Sequence, residues 1–348
     1  MQVDYIIVGY GLAGISFCEL LKANNKSFIV FDNHSQQSSL VAGGLYNPVI
    51  LKRFTSVWKS EEQLEIALPM YASLEKQLKE KLDYKISVLR RFASTEEQNN
   101  WFIASDKPVL NQHLSPTIIR NNNLHINAPF GLGKVLNTGR IDTQVLVSSC
   151  REKLLKENKL IENGFDYGTL KAANSDFQYQ NIVSKNIVFA EGYGVKQNPF
   201  FNRLPLKQSK GELLIISSTE LKLDYVLKSD IFILPLGNDL YSVGSTYEWK
   251  DDTNKITQKA REELEFKLNK VINCPYKVEN QVAGVRPTVI DRRPLVGNHQ
   301  HFNNMYVLNG LGTRGVMIGP YVAKALYNFI ENGIPLDDEI NIDRFNKN

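Results

Sequence analysis

Three short clusters of residues have the types and spacing to do chemistry. Gly9-Tyr10-Gly11-Leu12-Ala13-Gly14 is a G-x-G-x-x-G run, and Asp32-Asn33 follows it. Such a run holds a phosphate chain for physical reasons. Gly9 allows a tight turn, Gly11 lets a pyrophosphate approach bare backbone, and Gly14 lets a helix pack close to a strand. Leu12 and Ala13 carry the first free N–H groups of that helix, at its electropositive end. Asp32 can accept hydrogen bonds from a ribose, with Asn33 beside it. Near the other end, Gly310-Leu311-Gly312-Thr313-Arg314-Gly315-Val316 is a second glycine-rich loop. Between the two, Arg286 stands in Gly284-Val285-Arg286-Pro287, where fixed backbone suits bidentate capture of a carboxylate.

These clusters need elements to position them. Tyr5–Val8 is a continuous, β-branched apolar run and reads as a buried parallel strand; residues 15–23 read as a helix and 27–31 as a second strand ending at Asp32. Strand, glycines, helix, strand and acid together form a dinucleotide fingerprint, which by itself does not separate FAD from NAD. Residues 305–309 read as a strand and 316–330 as a helix, with Pro320 tolerable only near its first turn. A second positive helix end suits a ligand that gains negative charge. A reduced flavin does so, whereas a nicotinamide does not. Residues 64–82 have amphipathic helical spacing, and 232–235 and 240–245 read as a hairpin around Gly237-Asn238-Asp239.

The 348 residues suggest about two domains. With 43% hydrophobic and 22% charged residues the chain is an ordinary globular one, neither disordered nor collagen-like. A net charge of +4 permits an anionic substrate without demanding nucleic acid. Cys18, Cys150 and Cys274 are scattered, without C-x-x-C spacing, so zinc and a disulfide framework are not expected, and a cytoplasmic location is. No apolar stretch is long enough for a membrane span, and Asp4 and Glu19 interrupt the apolar start.

Taken together, the blocks resemble the FAD-dependent amino-acid and amine oxidase superfamily of D-amino acid oxidase, glycine oxidase and sarcosine oxidase. The resemblance rests on residues 8–14 with Asp32, Ala42-Gly43-Gly44, residues 187–192, residues 284–297 and residues 310–320. It implies an α/β fold: a Rossmann-like FAD-binding domain from residues 1–50, 139–205 and 285–348, and a substrate domain with an antiparallel sheet from 51–138 and 206–284. It assigns Gly9, Gly11, Gly14 and Asp32 to the ADP moiety, Ala42, Gly43 and Gly44 to the loop that passes the flavin ring, and Gly310, Gly312, Thr313, Arg314 and Gly315 to its pyrimidine end. Gly192 matches the cofactor-side glycine after a central strand, although Glu191 replaces the usual small or hydroxyl residue. Arg286 would grip a substrate carboxylate while hydride leaves the carbon beside a neutral amine for flavin N5. No cysteine stands beside the arginine motif, so FAD is expected to be non-covalent. Phe232 stands where glycine oxidase relatives tend to carry tyrosine. A second resemblance, through residues 42–48 and 310–315, is to the flavin module that removes a carboxymethyl group from the wobble uridine of tRNA. For that role Lys52, Arg53 and Lys59, with Trp58, are the candidate RNA-facing patch, a plain solvated face being the first reading of that cluster. A small-molecule amine or amino acid is the first expectation for the substrate and tRNA the second. The oligomeric state is left open.

Overall fold

The computed structural model describes residues 1–173 and 176–345. Its first sheet is the one the opening motif requires. Leu160–Ile161, Phe28–Phe31, Gln2–Val8 and Ile182–Phe189 run parallel in that order. The far edge of Ile182–Phe189 is shared: Asp176–Tyr179 pairs antiparallel with its first half, Met305–Asn309 parallel with its second. The strands are apolar without alternation because both faces are covered. Tyr5, Ile7, Val30 and Val188 face the helices Leu12–Ala23, Thr143–Lys156 and Gly315–Asn332. Ile6, Val8, Phe31 and Phe189 face an aromatic layer in which Phe165 stacks on Tyr179 at 4.1 Å.

The second sheet has eight strands, in the order Lys277–Val289, Leu206–Ser217, Leu240–Gly244, Phe232–Gly237, Val226–Lys228, Val88–Arg91, Leu132–Val135 and Leu114–Ile119. It departs from a purely antiparallel sheet at one pair, Val226–Lys228 with Val88–Arg91, which is parallel. The hairpin around Asn238 and Asp239 forms as expected, both residues taking positive φ. The strand carrying Arg286 runs Lys277–Val289, so the division expected at residue 285 falls inside a strand.

Two helices deserve comparison with their spacing. The expected helix over 64–82 is Ser60–Leu78. It stops at Lys79, which takes φ 59°, and the Glu75 carboxylate draws the chain back by accepting from the amides of Leu82 and Asp83. Pro320 lies in the second turn of Gly315–Asn332 and has no N–H for the Val316 carbonyl. The buried Tyr71 hydroxyl, from Ser60–Leu78, donates to that carbonyl instead at 2.9 Å. Tyr71→Phe is therefore expected to cost about 1–3 kcal/mol, because it strands a buried carbonyl; urea melts check it, and a change below about 0.5 kcal/mol would show that the carbonyl is satisfied otherwise. Among the described residues no helix is long and apolar enough to cross a membrane.

Candidate cofactor and substrate cleft

Both glycine-rich loops open into one cleft of about 500 Å³. Helices Leu12–Ala23 and Gly315–Asn332 start at its wall and lie side by side: a Cβ on Gly315 would meet Leu12 Cδ1 at 2.8 Å, and one on Gly319 would meet Ser16 Oγ at 3.2 Å. Neither helix has an acidic residue in its first turn or a side-chain cap on its N-cap residue. Two uncompensated positive ends thus face the same space. Ser39 Oγ accepts from the Leu12 amide at 3.1 Å.

The remaining loops are stitched to these two. Gly44 O accepts from the Ile141 amide and Ala42 O from Thr143 Oγ1, which pins residues 42–44 along the cleft. The Gly312 amide donates to Pro287 O, tying the second glycine loop to the strand of Arg286. Asn309 Nδ2 donates to Gly192 O at 2.8 Å. Of the sequence-predicted residues, Gly9, Gly11, Leu12, Ala13, Asp32, Asn33, Ala42, Gly43, Gly44, Gly192, Arg286, Gly312, Thr313, Arg314, Gly315 and Val316 line the cleft. Gly14 and Gly310 stand behind its wall. A Cβ on Gly14 would lie 2.1 Å from Gly9 O, and one on Gly310 would lie 2.6 Å from Val289 Cγ2. This layout fits a flavin dinucleotide, with an acid at one end, a glycine cradle and a helix end in the middle, and a second helix end beside an arginine.

The charges are unevenly partnered. Asp32 is bonded by Arg151, which also donates to Glu162 Oε1 at 2.9 Å. Arg286 is partly buried, with Nη2 donating to Ser245 Oγ at 2.9 Å and its guanidinium 5.0 Å from the Tyr247 ring. No carboxylate pairs with it among the described residues, and burial lowers its pKa. Arg314 is depressed by the same cause. Lys228, also lining the cleft, is pushed down to about 8 by burial, with Arg90 and Arg286 adding to the shift. Such a concentration of unpaired cations suits an anionic ligand.

Glu191 is the exception in sign. It is buried next to Gly9, accepts from Asn198 Nδ2 at 2.7 Å and from the Tyr167 hydroxyl, and burial pushes it up to about 7. The folded protein thus holds a proton that the unfolded chain releases, so stability falls as pH rises from about 4.5 to about 7. Glu191→Gln is expected to stabilise the apoprotein by about 1–3 kcal/mol at pH 8 and hardly at all at pH 5. Urea melts at both pH values test this; equal effects would mean another group titrates.

Sequence reasoning missed Arg151, Lys228, Ser245 and Tyr247. The hairpin led directly to Ser245 and Tyr247, which follow its second strand. Arg151 and Lys228 had no signal, since only tertiary structure brings them to the cleft. The cluster of Lys52, Arg53, Trp58 and Lys59 divides in two. Trp58 Nε1 donates to Glu339 at 2.7 Å and Lys59 pairs with Asp337, so both are committed to the carboxyl-terminal segment; Lys52 and Arg53 alone are exposed.

The chain is 26% identical over 205 residues to the tRNA 5-methylaminomethyl-2-thiouridine biosynthesis bifunctional protein of Shewanella sediminis, covering 46% of this chain and 28% of that protein. It is 20% identical over 303 residues to a D-amino acid dehydrogenase of Helicobacter pylori, covering 82% of this chain and 66% of that one. The matches thus span less than two thirds of either relative. In fold it is similar to the glycine oxidase from Geobacillus kaustophilus, with a TM-score of 0.80 at 14% identity and 97% of each chain covered. A model of the FAD dependent oxidoreductase family matches residues 4–328, nearly the whole sequence, and the protein belongs to that family of flavoenzymes.

Proposed function

We propose that this protein binds FAD without a covalent bond and oxidises the carbon–nitrogen bond of an amino acid or another carboxylate-bearing amine. The observation that carries the reading is Arg286, an unpaired guanidinium in the same cleft as both glycine loops. None of the three buried cysteines lines that cleft, which supports non-covalent binding. Their free thiols go with a cytoplasmic setting. FAD, when bound, supplies the two-electron acceptor. The chain's own residues bind and orient. Arg286 takes the carboxylate in a fork held by Ser245 Oγ and the Ser209 carbonyl. Leu213, Val226 and Phe232 line the cleft with apolar surface that excludes water from the reacting carbon. The amino terminus of Gly315–Asn332, which opens into the same cleft, would offset negative charge on a flavin held there. That division of labour needs positioning more than a strong general base.

Anaerobic titration of the flavoprotein with glycine, sarcosine, D- and L-amino acids and methylamine tests the reading. Flavin bleaching by a carboxylate-bearing amine, and not by methylamine, is expected. Bleaching by methylamine alone would overturn it.

The match to the Shewanella sediminis protein favours a second reading, removal of a carboxymethyl group from a wobble uridine in tRNA. There the N-carboxymethyl group of the substrate is glycine-like and would use Arg286 in the same way. Bleaching by RNA carrying carboxymethylaminomethyl-uridine, weakened by salt, distinguishes it.

A further inference from the structure

We infer that the substrate amine carries a planar ring, and that this ring stacks on Tyr247 and Trp249 at the mouth of the cleft. The inference rests on the proposed carboxylate site at Arg286 and adds the rest of the substrate to it. Ser245, Tyr247 and Trp249 are alternate residues directly after strand Leu240–Gly244. Ser245 holds Arg286, and Tyr247 covers the guanidinium at 5.0 Å. Trp249 lies near-parallel to Tyr247, at 23° with centroids 6.4 Å apart, and Arg292 sits 5.6 Å from the Trp249 ring. Thr246, between Ser245 and Tyr247 in sequence, is buried, and its hydroxyl accepts from the Glu212 amide.

Two large rings are left 56% and 43% exposed here, next to a cation that pairs with no carboxylate among the described residues. Exposed aromatic faces flanked by arginines are what a flat ligand with a negative group stacks upon. The second observation is rigidity. Lys210 is 1% exposed and donates to Asp251 Oδ2 at 2.6 Å and to the Lys255 carbonyl. Glu212, 3% exposed, accepts from the Thr257 amide and hydroxyl. Burying two charges is expensive. Here they clamp the surface segment 246–257, so the ring pair is held in place before a ligand arrives.

Two sources share the chemistry, a free aromatic N-carboxymethyl amine and a nucleobase bearing such a group. The test uses binding rather than turnover. Benzyloxyacetate and methoxyacetate are ethers with oxygen where the amine would be, and they differ by the ring. Each is titrated into the flavoprotein by calorimetry. Wild type is expected to bind the ring acid about tenfold more tightly. Trp249→Ala should bring the ratio close to one, and Trp249→Phe should retain most of it. General damage to the fold would lower both affinities and leave the ratio alone. Equal affinities in wild type, or a ratio unmoved in Trp249→Ala, overturn the inference. Binding of methoxyacetate without ring preference sinks only this inference; binding of neither acid sinks the carboxylate reading as well. Carboxymethylaminomethyl-uridine as nucleoside and within an RNA hairpin then separates the sources. Equal binding identifies the free ring compound, and tighter, salt-sensitive binding of the hairpin identifies the base in RNA.

Discussion

Arg286→Ala is expected to give a folded, yellow protein whose kcat/KM on a carboxylate-bearing amine has fallen by at least about 100-fold. The size follows from the surroundings of the guanidinium. It lies in a cleft with apolar walls, its neighbours are hydroxyl, carbonyl and ring, and among the described residues no carboxylate competes for it. An incoming carboxylate therefore meets an unpaired, partly desolvated cation, and removing that cation leaves the carboxylate buried with nothing to offset its charge. FAD uptake should survive, because the glycine cradle and both helix ends are untouched. Arg286→Lys separates charge from shape. It keeps the cation but loses the planar fork, so an intermediate loss of about tenfold is expected. The strand leaves room for the fork by design of the neighbouring residue: a Cβ on Gly211 would lie 2.0 Å from Arg286 Nη2. Steady-state kinetics beside flavin absorbance make the check. Undiminished kcat/KM in the alanine variant would remove Arg286 from the site.

What was legible in the sequence and what was not divide along a physical line. The phosphate cradle was readable because it is local: strand, glycines and helix are contiguous, and their geometry follows from backbone sterics within about thirty residues. The helix Gly315–Asn332 and the hairpin at Asn238 and Asp239 were readable for the same reason. The meeting of residues 9–13 with 311–316 came from a resemblance and not from any spacing, since nothing local links positions three hundred apart. Lys228 and Arg151 show the limit best. Each is a single cation on an ordinary amphipathic element, and becomes part of the cleft only through sheet register or helix packing. Trp58 and Lys59 show it from another side: sequence places them in a basic and aromatic cluster, and only tertiary structure brings Glu339 and Asp337 from the other end of the chain to pair with them. Tyr247 was two residues beyond the hairpin that had been read, and its exposed ring has meaning only beside Arg286.

Gly14→Ala is expected to yield apoprotein and to destabilise the fold by about 3 kcal/mol or more. The added methyl would lie 2.1 Å from Gly9 O and 3.1 Å from the Gly9 carbonyl carbon, so the helix must retreat from the strand or the turn must move. Retreat is blocked from behind, where Leu12 and Ser16 are already within a methyl's reach of Gly315 and Gly319 on the neighbouring helix. The turn is therefore what moves, and with it the bare backbone of the cradle. Gly333→Ala is the matched control. Gly333 closes the helix Gly315–Asn332 at φ 65° with nothing within 4 Å of a Cβ, so alanine there costs only the left-handed strain, about 1 kcal/mol, and should leave FAD content alone. The flavin-to-protein absorbance ratio after purification and a urea melt of each variant decide between the two mechanisms. If Gly14→Ala keeps full flavin and its stability lies within about 1 kcal/mol of wild type, close packing of the first helix on the first strand is not what shapes the diphosphate site, and the cradle must be held by the Ser39 hydroxyl on the Leu12 amide instead.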